Sequence, residues 1–200
     1  MALASFALPG TGFALRVAGR NATEPALPDD PPITLLRQVH GCEVLMDPQG
    51  GETGDGMVLT DLSRRPGVTV ADCLPVLAVT DSAMGVAHAG WRGLAAGVVR
   101  NLVSRLPGTP LAVALGPCIC ASCYTVGTEV LDALGIRPDS PGAGRLDLRE
   151  CARHRLLLAG VGREIIFDFR DCTMCMPLLY HSYRRDRERA GRNLVWLERV

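Results

Sequence analysis

Short apolar runs separated by glycine, proline and aspartate turns dominate the first part of the chain. Such runs, rich in β-branched residues, predict buried strands rather than helices. The predicted strands cover residues 13–17, 33–39, 44–46, 57–62, 68–71, 74–80, 85–88 and 111–115. Residues 19–32, rich in proline, aspartate and asparagine, predict a loop.

Helical spacing of apolar residues begins after the glycine-rich turn at Gly90. Leu94, Val98, Leu102 and Leu106 recur at this spacing and predict one helix that ends at residues 107–108. Two more helices are predicted at 126–134 and 148–159, and a last strand at 164–169. This alternation predicts a mixed α/β domain with a mixed β-sheet core flanked by helices.

Composition narrows the class of protein. The chain has 200 residues, so we expect a single domain spanning 1–200. Basic and acidic residues balance at 21 each, which argues against nucleic acid or an anionic membrane as a partner. The opening residues lack the basic start of a signal peptide, so we expect a cytoplasmic protein whose 8 cysteines are thiols.

Two groups of residues compete as metal ligands. Cys120-x-x-Cys123 and Cys172-x-x-Cys175 resemble two knuckles of a four-cysteine site. Their wide separation, with a helical region between them, favours buried apolar cysteines instead, and we expect these four not to hold a metal jointly. The second group is His40, Cys73 and His88, which the pattern places at strand ends without any short-motif spacing.

Six motifs, in order along the chain, carry a family resemblance. They are Gln38-Val39-His40-Gly41, Ala71-Asp72-Cys73-Leu74-Pro75-Val76, His88-Ala89-Gly90-Trp91-Arg92-Gly93, Leu115-Gly116-Pro117-Cys118-Ile119, Tyr124-Thr125-Val126-Gly127 and Ser182-Tyr183-Arg184-Arg185-Asp186. Together they resemble the YfiH-type laccase-domain family. That family was long labelled multicopper polyphenol oxidase and is described as zinc-dependent purine nucleoside phosphorylases with adenosine deaminase side activity.

The resemblance implies that His40, Cys73 and His88 bind one zinc ion per chain, with copper the less favoured metal. Three protein ligands leave the fourth position open, as catalytic zinc requires. Relative to the family, residues 1–32 form a shortened, divergent N-terminal segment. An Ala-Asp-Ala motif of the family appears here only as Gly54-Asp55-Gly56.

Further residues of the motifs are candidates for the chemistry. Arg184 and Arg185 are candidate phosphate clamps, because guanidinium groups bind oxyanions bidentately; the alternative is a solvated surface pair. Asp72 could orient a histidine or carry a proton, or could be a turn aspartate. Cys118 is a candidate nucleophile or a buried inert thiol. Gln38, Arg92 and Tyr183 are expected to contact substrate.

The resemblance therefore implies an enzyme that cleaves adenosine, inosine or guanosine with phosphate and could also deaminate adenosine. We expect a monomer whose partners are these small molecules. One alternative is a copper-dependent phenol oxidase, although 4 histidines are too few for a trinuclear copper cluster. Another is a non-catalytic, redox-sensing partner protein.

Overall fold

Two β-sheets, a two-stranded ribbon, five α-helices and three short 3-10 helices form within the part of the chain that the computed structural model describes, residues 4–20, 32–137 and 143–200. The strands are β1 (Ala4–Leu8), β2 (Phe13–Ala18), β3 (Ile33–Thr34), β4 (Val44–Met46), β5 (Gly56–Leu59), β6 (Arg65–Val70), β7 (Leu74–Val79), β8 (Met84–Ala89), β9 (Ala112–Leu115), β10 (Thr125–Gly127), β11 (Ala143–Arg145), β12 (Ile166–Asp168) and β13 (Asn193–Arg199). The helices are α1 (Trp91–Ala96), α2 (Val98–Arg105), α3 (Thr128–Leu134), α4 (Leu148–Leu158) and α5 (Tyr183–Asp186).

The larger sheet has the order β12-β9-β7-β8-β5-β4, and the smaller has the order β1-β2-β13-β6-β3. Strands β7 and β8 lie near the middle of the larger sheet and are buried along their whole length. Their pairing is antiparallel, whereas β12 with β9 and β4 with β5 are parallel. The mixed sheet predicted from the sequence is confirmed.

Alternate residues of β7 show how the layers stack. Val76 and Ala78 point into an apolar cluster shared with the helices, and Leu77 and Val79 point into a second cluster shared with the smaller sheet. Because side chains alternate across a strand, one sheet can serve both clusters. The larger sheet is therefore the central layer of three.

The single helix predicted from Leu94 to Leu106 is wrong, because Gly97 divides it. Gly97 has φ of +95°, ends α1 and precedes α2. Glycine adopts this left-handed conformation without the penalty that other residues incur. Helix α4 matches its prediction closely, and the Asp147 side chain caps it by accepting hydrogen bonds from the N–H groups of Arg149 and Glu150.

Other differences are local. Of the strand predicted at 33–39, only Ile33–Thr34 forms, and the first residues of the helix predicted at 126–134 pair with β11 instead. Of the strand predicted at 68–71, residues 68–70 form the end of β6 in the smaller sheet. Strands β1 and β13 were not predicted, and residues 21–31 of the predicted loop lie outside the described residues. None of the described helices is long and apolar enough to cross a membrane.

Candidate functional site

His40, Cys73 and His88 converge at one edge of the central sheet, although the chain separates them widely. His88 lies on β8, Cys73 immediately precedes β7, and strand pairing sets Pro75 opposite His88. His40 lies on a turn with φ of +60°. One nitrogen or sulfur atom from each residue falls within 4.8 Å of the other two. The convergence of these three residues agrees with the ligand set that the resemblance implies.

Asp55 connects the two histidines. Its Oδ1 lies 2.9 Å from Nδ1 of His88 and accepts a hydrogen bond of 2.9 Å from the backbone N–H of His40. Its Oδ2 accepts from the N–H groups of Val39, at 3.1 Å, and Gly41, at 2.7 Å. The carboxylate fixes the His40 turn and leaves Nε2 of His88 free to bind a metal.

The pKa shifts reflect the same contacts. Burial alone would raise the pKa of Cys73, but hydrogen bonds with His40 and His88 outweigh it and lower the pKa to about 7. Burial disfavours the charged form of His88, whereas hydrogen bonds with Asp55 and Cys73 raise its pKa to about 9. The pKa of Asp55 is lowered despite its burial, because His88 and backbone N–H groups stabilise the carboxylate.

These three residues fit a divalent zinc ion. Two imidazoles and a thiolate are ligands that zinc prefers, and a histidine held by a carboxylate is a common feature of zinc sites. Gly90 makes the close approach feasible, because a Cβ there would lie 2.9 Å from Sγ of Cys73 and 3.5 Å from Cδ2 of His40. Copper also accepts two histidines and a cysteine, so the ligand set does not by itself distinguish the two metals.

A cavity of about 600 Å³ opens beside these ligands. This volume is within the range of sites that bind small molecules. Besides the two histidines, the lining includes three aromatic rings, those of Trp91, Tyr124 and Tyr183. Four arginines line the same cavity: Arg92, Arg184, Arg187 and Arg192. Asp72 is the one carboxylate in the lining of this cavity. The cavity therefore has an excess of positive charge.

Arg92 and Arg184 each lie over an aromatic ring. The guanidinium carbon of Arg92 is 4.4 Å from the ring centre of Trp91, and that of Arg184 is 5.1 Å from the ring centre of Tyr124. Stacking of this kind holds a guanidinium in place while leaving its N–H groups available to a ligand. Both arginines line the cavity, and their contact with substrate stays a prediction.

Asp72 holds the C-terminal segment rather than a histidine. Its Oδ1 accepts a hydrogen bond of 2.6 Å from the hydroxyl of Thr173. Its Oδ2 accepts from the hydroxyl of Ser182, at 3.1 Å, and from the N–H of Arg184, at 2.6 Å. The proposed task of orienting a histidine belongs to Asp55. With its carboxylate engaged three times, Asp72 positions Arg184 at the cavity.

Two candidates lie away from the cavity. Arg185 donates hydrogen bonds to the carbonyls of Thr173, Met174 and Tyr180 and to the carboxylate of Asp186. Its guanidinium is therefore engaged within the chain, which favours an anchoring role over that of a phosphate clamp. Cys118 is fully buried, and burial raises its pKa, so the thiol is not suited to act as a nucleophile. The alternative of a buried inert thiol fits its surroundings.

Gln38 and Tyr183 do line the cavity. Both ends of the Gln38 amide are engaged by the backbone of Thr69, with its nitrogen donating at 2.8 Å and its oxygen accepting at 2.8 Å. The Tyr183 hydroxyl donates to Glu188 at 3.0 Å. Gln38 therefore joins the His40 segment to β6. For a ligand in the cavity, the ring of Tyr183 is more available than its hydroxyl.

The wide separation of the two cysteine pairs in the sequence, which argued against a joint site, does not keep Cys120, Cys123, Cys172 and Cys175 apart, and Cys175 is exposed rather than buried. One sulfur from each of the four lies within 4.8 Å of the others. A parallel bridge between Cys118 and Cys172 brings the two segments together. The described residues thus contain two groups of metal-ligating side chains.

Asp55, Arg187 and Arg192 were missed as site residues. A signal existed for Asp55, since it occupies the middle of Gly54-Asp55-Gly56, where the resembling family has an Ala-Asp-Ala motif. Arg187 and Arg192 lie in a charged C-terminal run, which is more often a solvated surface. The sequence offers no local sign that this run folds back over the cavity.

The chain is similar in sequence to several known proteins. Purine nucleoside phosphorylase YlmD of Geobacillus stearothermophilus is 37% identical over 163 residues, which are 72% of this chain and 60% of that protein. Purine nucleoside phosphorylase YfiH of Escherichia coli is 36% identical over 86% of this chain and 75% of its own length. Adenosine deaminase RL5, from an unknown prokaryotic organism, is 29% identical over 84% of this chain and 75% of its own length.

A solved structure agrees with the sequence comparison. The crystal structure of YlmD from Geobacillus stearothermophilus superimposes with a TM-score of 0.75 and 32% identity, over 84% of this chain and 73% of that one. The chain thus spans about three fifths to three quarters of the length of these relatives. A family model described as multi-copper polyphenol oxidoreductase laccase matches residues 18–198. The chain belongs to this laccase-domain family, of which YfiH and YlmD are similar members.

Proposed function

We propose that this chain is a zinc-dependent purine nucleoside phosphorylase. The observation that carries the proposal is the pairing of a three-ligand metal site with an arginine-lined cavity of about 600 Å³. A nucleoside and a phosphate ion fit the size and charge of such a site. The names of two similar proteins, YlmD and YfiH, support the same activity.

Phosphate would bind among the arginines. Arg184 is the main candidate, because Asp72 fixes its backbone at 2.6 Å and the Tyr124 ring orients its guanidinium. Arg92, Arg187 and Arg192 line the same cavity and add positive charge. Charge-assisted hydrogen bonds from guanidinium groups would hold the phosphate and orient one of its oxygens toward the anomeric carbon of the nucleoside.

The purine would lie against the aromatic part of the lining. Trp91 and Tyr124 both line the cavity, and aromatic rings stack on planar bases. His40, which is solvent-exposed beside Cys73 and His88, faces the same space. A zinc ion held by the three ligands would supply Lewis acidity, which stabilises negative charge as the glycosidic bond breaks.

Adenosine deamination is a second candidate activity, favoured by the similarity to adenosine deaminase RL5. It would use the same cavity and the same metal ligands but no phosphate. A copper-dependent phenol oxidase, as the family description suggests, finds less support. The two remaining histidines, His154 and His181, are absent from the lining of this cavity, so they could not complete a copper cluster there.

Product analysis of the metal-quantified protein tests the proposal. Adenosine, inosine and guanosine are incubated with and without phosphate, and free base, ribose 1-phosphate and inosine are measured. We expect phosphate-dependent release of base from at least one nucleoside. Arg100→Ala, an exposed substitution outside the cavity, should behave as the wild type. Oxidation of phenols by a copper-loaded protein without nucleoside cleavage would contradict the proposal.

A further inference from the structure

A second group of metal-ligating side chains lies outside the cavity. Cys120 precedes a short 3-10 turn, Ala121–Cys123, and Cys123 ends it. Cys172 and Cys175 lie in the loop that follows β12. None of the four lines the cavity beside His40. The backbone of Cys118 joins the two segments, because its N–H donates to Asp171 at 3.3 Å and its carbonyl accepts from Thr173 at 3.2 Å.

The sulfur atoms form a compact cluster. All four lie within 4.8 Å of one another, and Sγ of Cys123 is 3.3 Å from Sγ of Cys175. A tetrahedral zinc ion with zinc–sulfur bonds of about 2.3 Å sets its sulfurs roughly 3.8 Å apart. The 3.3 Å distance and the 4.8 Å upper limit lie on either side of that value. A cluster with two irons needs a wider arrangement of its cysteines than one ion does.

The backbone around the sulfurs also suits a metal site. The N–H groups of Cys120 and Cys175 point to Sγ of Cys172, at 3.3 and 3.5 Å. N–H groups in this position can donate to the negatively charged sulfur of a metal-bound cysteine. Each pair has two residues between its cysteines, the spacing of a zinc knuckle.

We propose that Cys120, Cys123, Cys172 and Cys175 bind a structural zinc ion. Four thiolates close the coordination sphere, so this site would have no open position for substrate. Zinc would displace the thiol protons to solvent, and no oxidation is involved. The chain would then bind two zinc ions rather than the one expected from the sequence. This inference does not depend on the proposed enzymatic function.

The zinc ion would stabilise one wall of the cavity. Thr173, between Cys172 and Cys175, donates to the carboxylate of Asp72 at 2.6 Å, and Asp72 holds the N–H of Arg184. Arg185 binds the carbonyls of Thr173 and Met174 in the same loop. The site therefore stabilises a loop that contacts both the segment before Cys73 and the helix that contains Arg184.

Metal analysis of the full chain, purified with a reductant, tests the proposal. We expect two zinc ions per chain in the wild type and one in Cys175→Ala, with the remaining ion lost on adding His40→Ala. Cys175→His should restore the second ion, because histidine can replace one thiolate. Cys151→Ala, which removes a cysteine of neither group, should keep both ions. One zinc ion in the wild type, unchanged by Cys175→Ala, would overturn the proposal.

If the cysteine variants do not fold, measurements on protein with its native cysteines test the proposal instead. Cys175 is exposed, so an alkylating reagent can reach its free thiol. We expect protection of all four thiols in the zinc-loaded protein and their release by a strong chelator. In His40→Ala loaded with cobalt, thiolate-to-metal charge-transfer bands should appear. Rapid alkylation of Cys175 in the zinc-loaded protein, iron in place of zinc, or a Cys123–Cys175 disulfide without the second ion would each refute the proposal.

Discussion

The two groups of metal-ligating residues differ in what surrounds them. His40, Cys73 and His88 border a cavity, and Asp55 holds their geometry by hydrogen bonds to one ring and to the backbone. The four-cysteine cluster offers four sulfurs, and none of its residues lines that cavity. Three ligands with an open side suit catalysis, and four ligands suit a structural role. Ligand number and the presence of an adjoining cavity together distinguish the two groups.

Removing a ligand of the open site should produce the largest effect. Cys73→Ala leaves two histidines, so we expect loss of one zinc ion and of nucleoside cleavage down to the background rate. Metal content and product formation measure this. The four-cysteine cluster should keep its ion, and the loss of both ions from a folded Cys73→Ala protein would show that the two sites are not independent.

Replacing Asp55 should have the next largest effect. Asp55→Asn weakens the contact with His88 and removes the charge that the N–H groups of the His40 turn share. Loss of such a supporting carboxylate lowers metal affinity or activity by about 10- to 100-fold. Zinc titration with a competing chelator gives the affinity. Asp61→Asn, an exposed aspartate bonded to Ser63, is the matched control and should show the affinity of the wild type.

Arg184→Ala should act on phosphate more than on nucleoside. Loss of one charged hydrogen bond of about 1.5 kcal/mol corresponds to a rise of roughly tenfold in the KM for phosphate. Three other arginines remain in the cavity, which limits the loss. Adenosine deamination, where present, should be unaffected. An unchanged phosphate dependence in Arg184→Ala would assign phosphate binding to another arginine.

Arg185→Ala provides the structural contrast. Its guanidinium bonds four groups of the chain itself, so we expect a lower Tm with little change in the KM for phosphate. Thermal unfolding and phosphate kinetics below the Tm separate the two effects. A rise in KM equal to that of Arg184→Ala, without a change in Tm, would return Arg185 to the list of phosphate ligands.

Cys175→Ala should have the smallest effect on turnover. Arg185 holds the carbonyls of Thr173 and Met174 independently of the cysteines. We therefore expect kcat to change by less than about threefold, which corresponds to under about 0.7 kcal/mol in the barrier. The Tm should fall, because an ion bound only to the folded chain stabilises it. A loss of kcat as large as that of Cys73→Ala would mean that the cluster takes part in catalysis.

The central strands were the most predictable part of the fold. β7, β8 and β9 are continuous apolar runs, and burial on both faces produces that pattern. β13 was hidden because it follows a run of arginines and because partners on both sides, β2 and β6, lie far away in the sequence. The apolar period of 3.6 residues continues across Gly97 and does not reveal its positive φ, so one helix was predicted where two form.

The candidate ligands of the open site were singled out by family motifs, whereas the two C-x-x-C pairs were recognised but not expected to act as one site. His40, Cys73 and His88 each lie in a motif of the family, so the resemblance located them without any knowledge of their distances. The cluster instead depends on a bridge between Cys118 and Cys172. Long-range pairing of this kind leaves no local pattern, and sequence separation alone argued against it.

The carboxylate of Asp55 also has a mechanical consequence. A single atom, Oδ1, lies 2.9 Å from both the backbone nitrogen of His40 and Nδ1 of His88. The two residues therefore contact the same carboxylate oxygen, although one lies on a turn and the other within the sheet. When the sheet edge fluctuates, both should be displaced in the same direction, so that their spacing varies less than the position of either.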